Sequence, residues 1–378
     1  MVAQAEKSID LLLGLVGFMG WYHTHSAAPN GSIRQSVAFL SQMAGSLIMD
    51  LKIAGQPHPH QLFHEYVHVA SDRSYTNETR RAFLACWLIT SILSTFLPRI
   101  DSIRWATHLD RCLRELEQEP EWEGDISLTQ LVRIQLVKEK TSLAIWYESC
   151  MASVEGSQTP PSYYIQTQVS QLQTVSSQWP ADLRDTSLFR LHYHATELAL
   201  NELSTPESST STPDTTHNKH RYACLTAAKA WFDVFFSDPP AQYKAQSWPI
   251  VFQCVRALGT IYHLSTLEKL GWSGDIVRTE VDAVELLGRL IQYLEECVQS
   301  HGLRPDDMIV RHVQLYRHMR RTWITKMSGE VAVPQGGPQN GGSISIGLAG
   351  AAGYNAADDG VLGDLFDLNF FDNEWLVG

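Results

Sequence analysis

The sequence predicts an all-α protein, an irregular multi-helix bundle with a disordered linker and a disordered C-terminal tail. Apolar residues recur at helical spacing along most of the 378-residue chain. Hydrophobic residues make up 44% of the chain and charged residues 19%, which is enough apolar material for a sizeable core. Alternating apolar and polar runs joined by a tight hairpin turn, which would indicate strands, are nearly absent.

The N-terminal region predicts two helices, over Ile9–Tyr22 and Ser32–Leu51. The run from Leu11 to Phe18 has the composition of a signal-peptide core, but Glu6 and Asp10 precede it where basic residues are required. The same run is too short to cross a bilayer. We therefore interpret it as a buried helix and expect no contact with a membrane.

The segment Arg80–Leu97 predicts the central helix of the bundle. Its apolar residues occupy every face, so the helix leaves no side for solvent, and Pro98 ends it. Thr76 or Asn77 can cap its first turn. Between this helix and the second one, the polar, His-rich stretch 58–74 is interpreted as a connecting loop.

The remaining helices are amphipathic, and they are interrupted once. Residues 204–219 are rich in Ser, Thr and Pro, which predicts a disordered linker between a helical region at 1–203 and another at 220–327. The helices predicted after the linker are Arg221–Phe236, Trp248–Leu270, Asp275–His301 and Pro305–Met327. Residues 328–357 are rich in Gly and Ala and are interpreted as a disordered tether.

Cysteine spacing excludes the common zinc-binding motifs. The six cysteines are far apart in sequence, so no C-x2-C pair exists. Most of them lie in apolar helical segments, where a free thiol behaves as a small buried hydrophobe in a reducing compartment. We predict no metal site and no cofactor.

One short motif could carry chemistry. His64-Glu65-Tyr66-Val67-His68 matches H-E-x-x-H, which on a helix places two zinc ligands one turn apart with a glutamate as general base. A catalytic zinc needs a third protein ligand; Ser74 stands at one expected spacing, and Glu78 is near another. Because the motif falls in a predicted loop, we interpret it as polar loop. Adventitious metal binding with His58 and His60, or a zinc hydrolase, remain as alternatives.

Charge argues against direct contact with nucleic acid. The formal net charge is -12, whereas non-specific binding of nucleic acid depends on Lys and Arg neutralising phosphates. The most basic segment, Arg317-His318-Met319-Arg320-Arg321, lies within a predicted helix and is interpreted as a solvated face. Glycine-rich phosphate loops and the G-x-S-x-G nucleophile motif are also absent from the sequence, so we predict no catalytic residues.

The tail 358–378 combines acidic residues with large apolar ones and contains no Lys or Arg. Such a segment cannot bury enough surface to fold alone, yet it presents apolar side chains to the groove of a partner. An alternative is that the tail packs on its own domain. The residues predicted to contact the partner are Leu362, Leu365, Phe366, Phe370, Phe371, Trp375 and Leu376.

Several segments resemble the regulatory domain of fungal zinc-cluster transcription factors. Ser8-Ile9-Asp10-Leu11-Leu12 followed by Trp21-Tyr22-His23-Thr24-His25 is similar to the start of that domain, S-x-D-L-L … W-Y-H-x-H. Arg80 to Cys86, Arg104-Trp105, Leu109 to Leu113 and Ser127 to Lys140 follow in the same order and spacing. The resemblance is good over residues 8–150 and general beyond them.

The resemblance implies a transcriptional regulator in the nucleus, whose tail binds a coactivator or mediator-type protein. The family's DNA-binding module, two C-x2-C-x6-C units, is absent, so any DNA contact requires a module missing from this chain. The chain is expected to be either a fragment or a natural form without its DNA reader. In the second case it could form a homodimer, or a heterodimer that modulates a full-length relative.

Overall fold

A computed structural model describes residues 8–21, 33–54, 75–96, 100, 102–155, 161–203, 215–267, 271–305 and 307–327. Within these ranges every regular element is helical and no strand occurs, which confirms the predicted fold class. The helices are α1 Ile9–Gly20, α2 Ile33–Ala54, α3 Asn77–Phe96, α4 Thr107–Gln118, α5 Glu123–Glu155, α6 Pro161–Ser177, α7 Ala181–Arg184, α8 Ser187–Glu202, α9 Thr215–Phe235, α10 Trp248–Thr266, α11 Gly274–Glu280, α12 Ala283–His301 and α13 Met308–Met327. A short 3-10 helix, Pro240–Ala245, precedes α10.

Helix α3 occupies the middle of the N-terminal half, as its sequence predicts. It packs against α1, α2, α4, α5 and α10. Trp87 is fully buried, and its ring meets that of Trp105 edge to face, with the ring centroids 4.6 Å apart. The buried side chains of α3 cover all sides of the helix: Arg80, Ala82, Phe83, Leu84, Cys86, Trp87, Ile89, Thr90, Ser91, Ile92, Leu93 and Phe96.

Helix α10 has the same role in the C-terminal half. Pro249 stands in its first turn, where a missing N–H costs nothing, and most of its residues are buried. It packs against α1, α3, α8, α9, α11 and α12. The rings of Phe96 and Phe252 stack with centroids 5.0 Å apart, which joins the two central helices directly. One hydrophobic core therefore contains side chains from both sides of the predicted linker.

A smaller core lies beside this one, where α5, α6 and α8 meet. Trp179 follows the end of α6, and its ring makes an edge-to-face contact with Phe189 of α8 at 5.6 Å. The buried members of this cluster are Ile134, Val137, Ile165, Leu172, Trp179, Phe189 and Leu200.

Several helix ends lie a few residues from their predicted positions, and two differences are larger. Helix α9 begins at Thr215, inside the predicted linker, and residues 204–214 lie outside the described ranges. The helix predicted over Asp275–His301 is broken into α11 and α12. Asp282 adopts an extended backbone there, and its carboxylate accepts hydrogen bonds from the backbone N–H groups of Val284 and Glu285. An N-cap of this kind starts a new helix in the middle of a continuous apolar pattern.

Buried ionic and polar groups link the helices around the core. Glu202 of α8 accepts hydrogen bonds from the Arg256 guanidinium, at 2.7 Å, and from the Thr260 hydroxyl, at 2.6 Å. The side chains of Glu202 and Arg256 are each only 13% exposed, so this pair ties α8 to α10 in a region of weak solvent screening. Removing one partner would leave the other charge poorly solvated.

A second set of buried polar groups lies between α3 and α5. Lys138 donates a hydrogen bond to the Thr95 hydroxyl at 2.9 Å, and burial lowers the pKa of its ammonium group well below the usual value. Burial also raises the pKa of Glu139, although the carboxylate accepts hydrogen bonds from Ser91, at 2.7 Å, and Ser102, at 3.4 Å. These bonds connect α3 and α5. They also give hydrogen-bond partners to polar groups that burial separates from water.

A histidine is held neutral inside the bundle. The Gln253 amide lies 3.0 Å from Nδ1 of His192 and accepts a hydrogen bond from the Trp231 indole at 3.3 Å. The amide oxygen is used by Trp231, so the amide nitrogen donates to His192, and Nδ1 must be unprotonated. Burial lowers the pKa of His192 to about 4. The chain of bonds connects α8, α9 and α10 only while this histidine is neutral.

We expect Trp87→Ala to lower the free energy of unfolding by about 3–5 kcal/mol, because the substitution leaves a large cavity in the central core. Trp122→Ala is the matched control: its side chain is 63% exposed, and surface changes usually stay within about 0.5 kcal/mol. Urea denaturation of both variants measures the difference. Equal losses would contradict the central position of α3.

We expect acid to destabilise the fold through His192. Its folded pKa of about 4 lies below the unfolded value of 6.5, so the unfolded chain binds the proton first and stability falls as the pH drops from 6.5 towards 4. The loss between pH 7 and pH 5 should be about 2 kcal/mol. His192→Asn cannot titrate, so the pH dependence of its urea midpoint should be flatter. Parallel curves for the two proteins would refute this assignment.

Candidate functional site

The residues predicted from the sequence to contact a partner all lie outside the described ranges. They are Leu362, Leu365, Phe366, Phe370, Phe371, Trp375 and Leu376. The H-E-x-x-H motif at 64–68 also lies outside them. The functional surfaces are therefore sought among the described helices.

The described helices show two properties that bear on the kind of site. No cluster of three His, Cys, Asp or Glu side chains within the described ranges is arranged to hold a metal ion. Among the same residues, no helix combines the length and apolar character that crossing a membrane requires. The described free thiols are buried, and burial raises the pKa of Cys86 and of Cys112 to about 12. Thiols in this state are poor nucleophiles.

A groove of about 460 Å³ opens between the end of α4, the start of α5 and the end of α6. Its charged groups satisfy each other, because Arg133 donates two hydrogen bonds to Glu117, at 2.8 and 2.7 Å. The remaining lining is apolar or amide apart from Thr129, whose hydroxyl donates to the backbone oxygen of Ile126 at 3.0 Å. The Glu117 carboxylate of this groove is therefore held by Arg133.

Helices α12 and α13 form a hairpin, and specific residues end the first helix and begin the second. Gly302 ends α12 with a φ of 56°, a left-handed conformation that favours glycine. Asp307 then accepts a hydrogen bond from the backbone N–H of Ile309 at 2.9 Å and starts α13. Trp323 of α13 is buried and stacks on Tyr262 of α10, with ring centroids 4.1 Å apart. These contacts fix which side of α13 faces the solvent.

The solvent side of α13 carries three basic residues followed by one apolar residue. Arg317, Arg320, Arg321 and Ile324 are all exposed, and their spacing places them along one side of the helix. We call these four residues the α13 basic face. Ile324 is 44% exposed, which is high for a large aliphatic side chain. The helix contains no Asp or Glu.

Only part of the charge on the α13 basic face is neutralised by the protein. Arg317 pairs with Glu295 of α12 at 2.7 Å. Arg320 instead lies across α12 beside Gly288 and donates to the backbone oxygen of Val284 at 3.2 Å. Arg321 makes no ion pair with another described residue. The face can therefore receive a carboxylate-bearing ligand without first breaking an ion pair at Arg320 or Arg321.

The sequence predicts that the arginines of this face are exposed, but it does not predict the exposure of Ile324. Residues 317 to 321 stand out as a basic run, and the structure confirms that all three arginines are exposed. Ile324 follows Arg317 and Arg321 by seven and three residues, so helical spacing could have placed it on the same side. The apolar stripe of a helix is usually buried, and this rule assigns Ile324 to the core.

Comparison with known proteins finds similarity to fungal transcription factors. The chain is 28% identical over 348 residues to the transcription factor opdL of Penicillium oxalicum, an alignment that covers 86% of this chain and 60% of that protein. The chain is a relative of fungal transcription factors. This result confirms that the chain resembles fungal transcription factors.

Further matches agree with this relationship. A transcription factor of Aspergillus terreus is 22% identical over 62% of this chain, and the transcription factor himD of Aspergillus japonicus is 24% identical over 63%. The chain spans about 60% of the first fungal relative and about two fifths of the other two. A family model described as a C-terminal domain matches residues 240–376. No solved structure matches the chain significantly.

Proposed function

We propose that this chain regulates transcription in the fungal nucleus by binding protein partners, with residues 358–378 as its activation segment. The observation that carries the proposal is the alignment with a fungal transcription factor over 86% of the chain. The zinc-cluster type and the nuclear location belong to the proposal as well. The helical bundle would then be the scaffold that presents the segment.

The charge of the chain supports action through proteins rather than through DNA. With a net charge of -12, the surface as a whole repels phosphate. In this proposal DNA is reached through a module outside this sequence, which fits relatives that are longer than the aligned region. The described bundle adds no metal cluster that could serve as a zinc-based DNA reader.

The composition of residues 358–378 supports partner binding. An isolated segment of this kind loses about 1–2 kcal/mol per ordered residue in backbone entropy. A partner's groove returns roughly 1.5–3 kcal/mol for each large apolar side chain that it buries. Most of this gain offsets the cost of ordering, so we expect affinity of about micromolar strength. The acidic residues would steer encounter with a basic rim and keep the aromatic residues soluble.

The extent of the family match also supports a role for the segment. The matched range begins in the 3-10 helix before α10 and continues to residue 376. It therefore includes the acidic-aromatic segment together with helices α10 to α13. A protein family whose model extends through both regions is consistent with a segment that works beside the C-terminal helices.

The activation segment can be tested by transfer. Residues 358–378 fused to an unrelated DNA-binding domain should activate a reporter gene. Phe366→Ala with Phe370→Ala should abolish that activity, because the two rings supply much of the burial, whereas single Asp→Asn changes should only weaken it.

The control for this experiment is Asn369→Ala with Asn373→Ala, which has the same spacing and keeps every aromatic and acidic residue. An inactive wild-type fusion would refute the proposal. So would equal activity of the wild-type and the double phenylalanine variant.

A second candidate function is dimerisation with a full-length relative, and the outer side of α1 favours it. Leu13, Phe18 and Trp21 are 37%, 37% and 45% exposed. Helical spacing places them on one side with Gly14 and Gly17, where an added Cβ would meet no atom within 4 Å. Such a surface lets another helix approach closely. Sedimentation of Leu13→Glu and of the wild-type chain at micromolar concentration distinguishes a dimer through this face from a monomer.

A further inference from the structure

The α13 basic face presents two positive charges and an apolar side chain without a carboxylate partner. Arg320 donates only to a backbone oxygen, and Arg321 forms no ion pair among the described residues. Ile324, which is 44% exposed, follows both arginines by about one turn of the helix. Cations in the last turns of a helix favourably offset its dipole, but this effect does not account for an exposed isoleucine one turn after them.

A segment of the same chain has the opposite character. Residues 358–376 contain six acidic residues and no basic ones, and large apolar residues alternate with the acids. A ligand that matches the α13 basic face needs carboxylates spaced around an apolar group. The acidic-aromatic segment fits this description in both charge and apolar content.

The length of the intervening chain makes contact feasible. Helix α13 ends at Met327, and residues 328–357 separate it from the segment. A Gly-rich linker of this length spans roughly 30 Å on average, whereas Arg321 lies only about 9 Å along the helix from Met327. A linked segment has an effective concentration of about millimolar at its site. Even a weak contact would therefore be populated.

We propose that residues 358–376 dock on the α13 basic face of their own chain and compete there with the partner of the activation segment. The inference rests on the proposed function in one respect, that this segment is the partner-binding one. The carboxylates contact Arg320 and Arg321, and aromatic side chains cover Ile324. A partner can bind the segment only after the segment has left the α13 basic face. The helical bundle therefore lowers the activity of the activation segment.

Zero-length cross-linking tests the contact in the full chain. Carbodiimide joins a carboxylate to an amine, so Arg321→Lys keeps the charge and supplies a reactive group in place of the guanidinium. We expect intramolecular products between residues 358–376 and position 321, identified by mass spectrometry. About 0.5 M salt should suppress them, because exposed ion pairs are screened. Arg190→Lys, an exposed arginine of α8, is the matched control.

Three results would overturn the inference. They are the lack of a product at position 321, equal products at positions 321 and 190, and products only at the mass of a dimer. The last result would mean that the segment docks on a second copy.

A reporter experiment separates the docking from the activation segment itself. The full chain is fused to an unrelated DNA-binding domain, and Arg320→Glu with Arg321→Glu should raise activation about two- to tenfold by releasing the segment. Arg190→Glu with Lys219→Glu makes the same change in net charge at two other exposed positions and should leave activation unchanged. Circular dichroism confirms that each variant folds.

The outcomes distinguish the two proposals. An inactive fusion of residues 358–378 alone refutes the activation segment. An active fusion of that segment, combined with no effect of the Arg320 and Arg321 changes in the full chain, refutes the docking.

Discussion

The contact between α3 and α10 is the constraint on which the rest of the bundle depends. Both helices are apolar on nearly every side, so neither can border the solvent. Stacking Phe96 on Phe252 covers one side of each, and the remaining sides must be covered by other helices. Helices α1, α2, α4 and α5 surround the first, and α8, α9, α11 and α12 surround the second. The two halves of the chain are joined because the central helix of each half covers an apolar side of the other.

The same physics explains which features the sequence could predict. The all-round apolar pattern of Arg80–Leu97 predicts burial without knowledge of the neighbours, and α3 confirms it. The break at Asp282 was missed, since the apolar pattern runs through it and only the local capping bonds stop the helix. The pairing of Phe96 with Phe252 could not be predicted, because periodicity shows which side is buried but not what covers it.

The interior polar groups show a further limit of prediction from sequence. Glu202 and Arg256 are separated by 54 positions, and His192 and Gln253 by 61, so their pairing is a property of helix packing alone. Each pair connects α8 with α10, next to the contact of the two central helices. Apolar packing tolerates many arrangements of similar volume, whereas a buried charge tolerates few. These pairs can therefore select one register of α8 against α10, at the cost of sensitivity to acid through His192.

The α13 basic face is a local basic surface in a chain whose net charge is acidic. A chain with a net charge of -12 loses stability through repulsion among its acidic groups, and local basic surfaces reduce this repulsion. Glu295 already neutralises Arg317, yet Arg320 and Arg321 remain without a carboxylate around an exposed Ile324. In the proposed docking, the ligand of these arginines also covers the apolar surface of Ile324. The acidic segment with interleaved aromatic side chains would provide the charge and the apolar cover together, and it follows the same helix after residues 328–357.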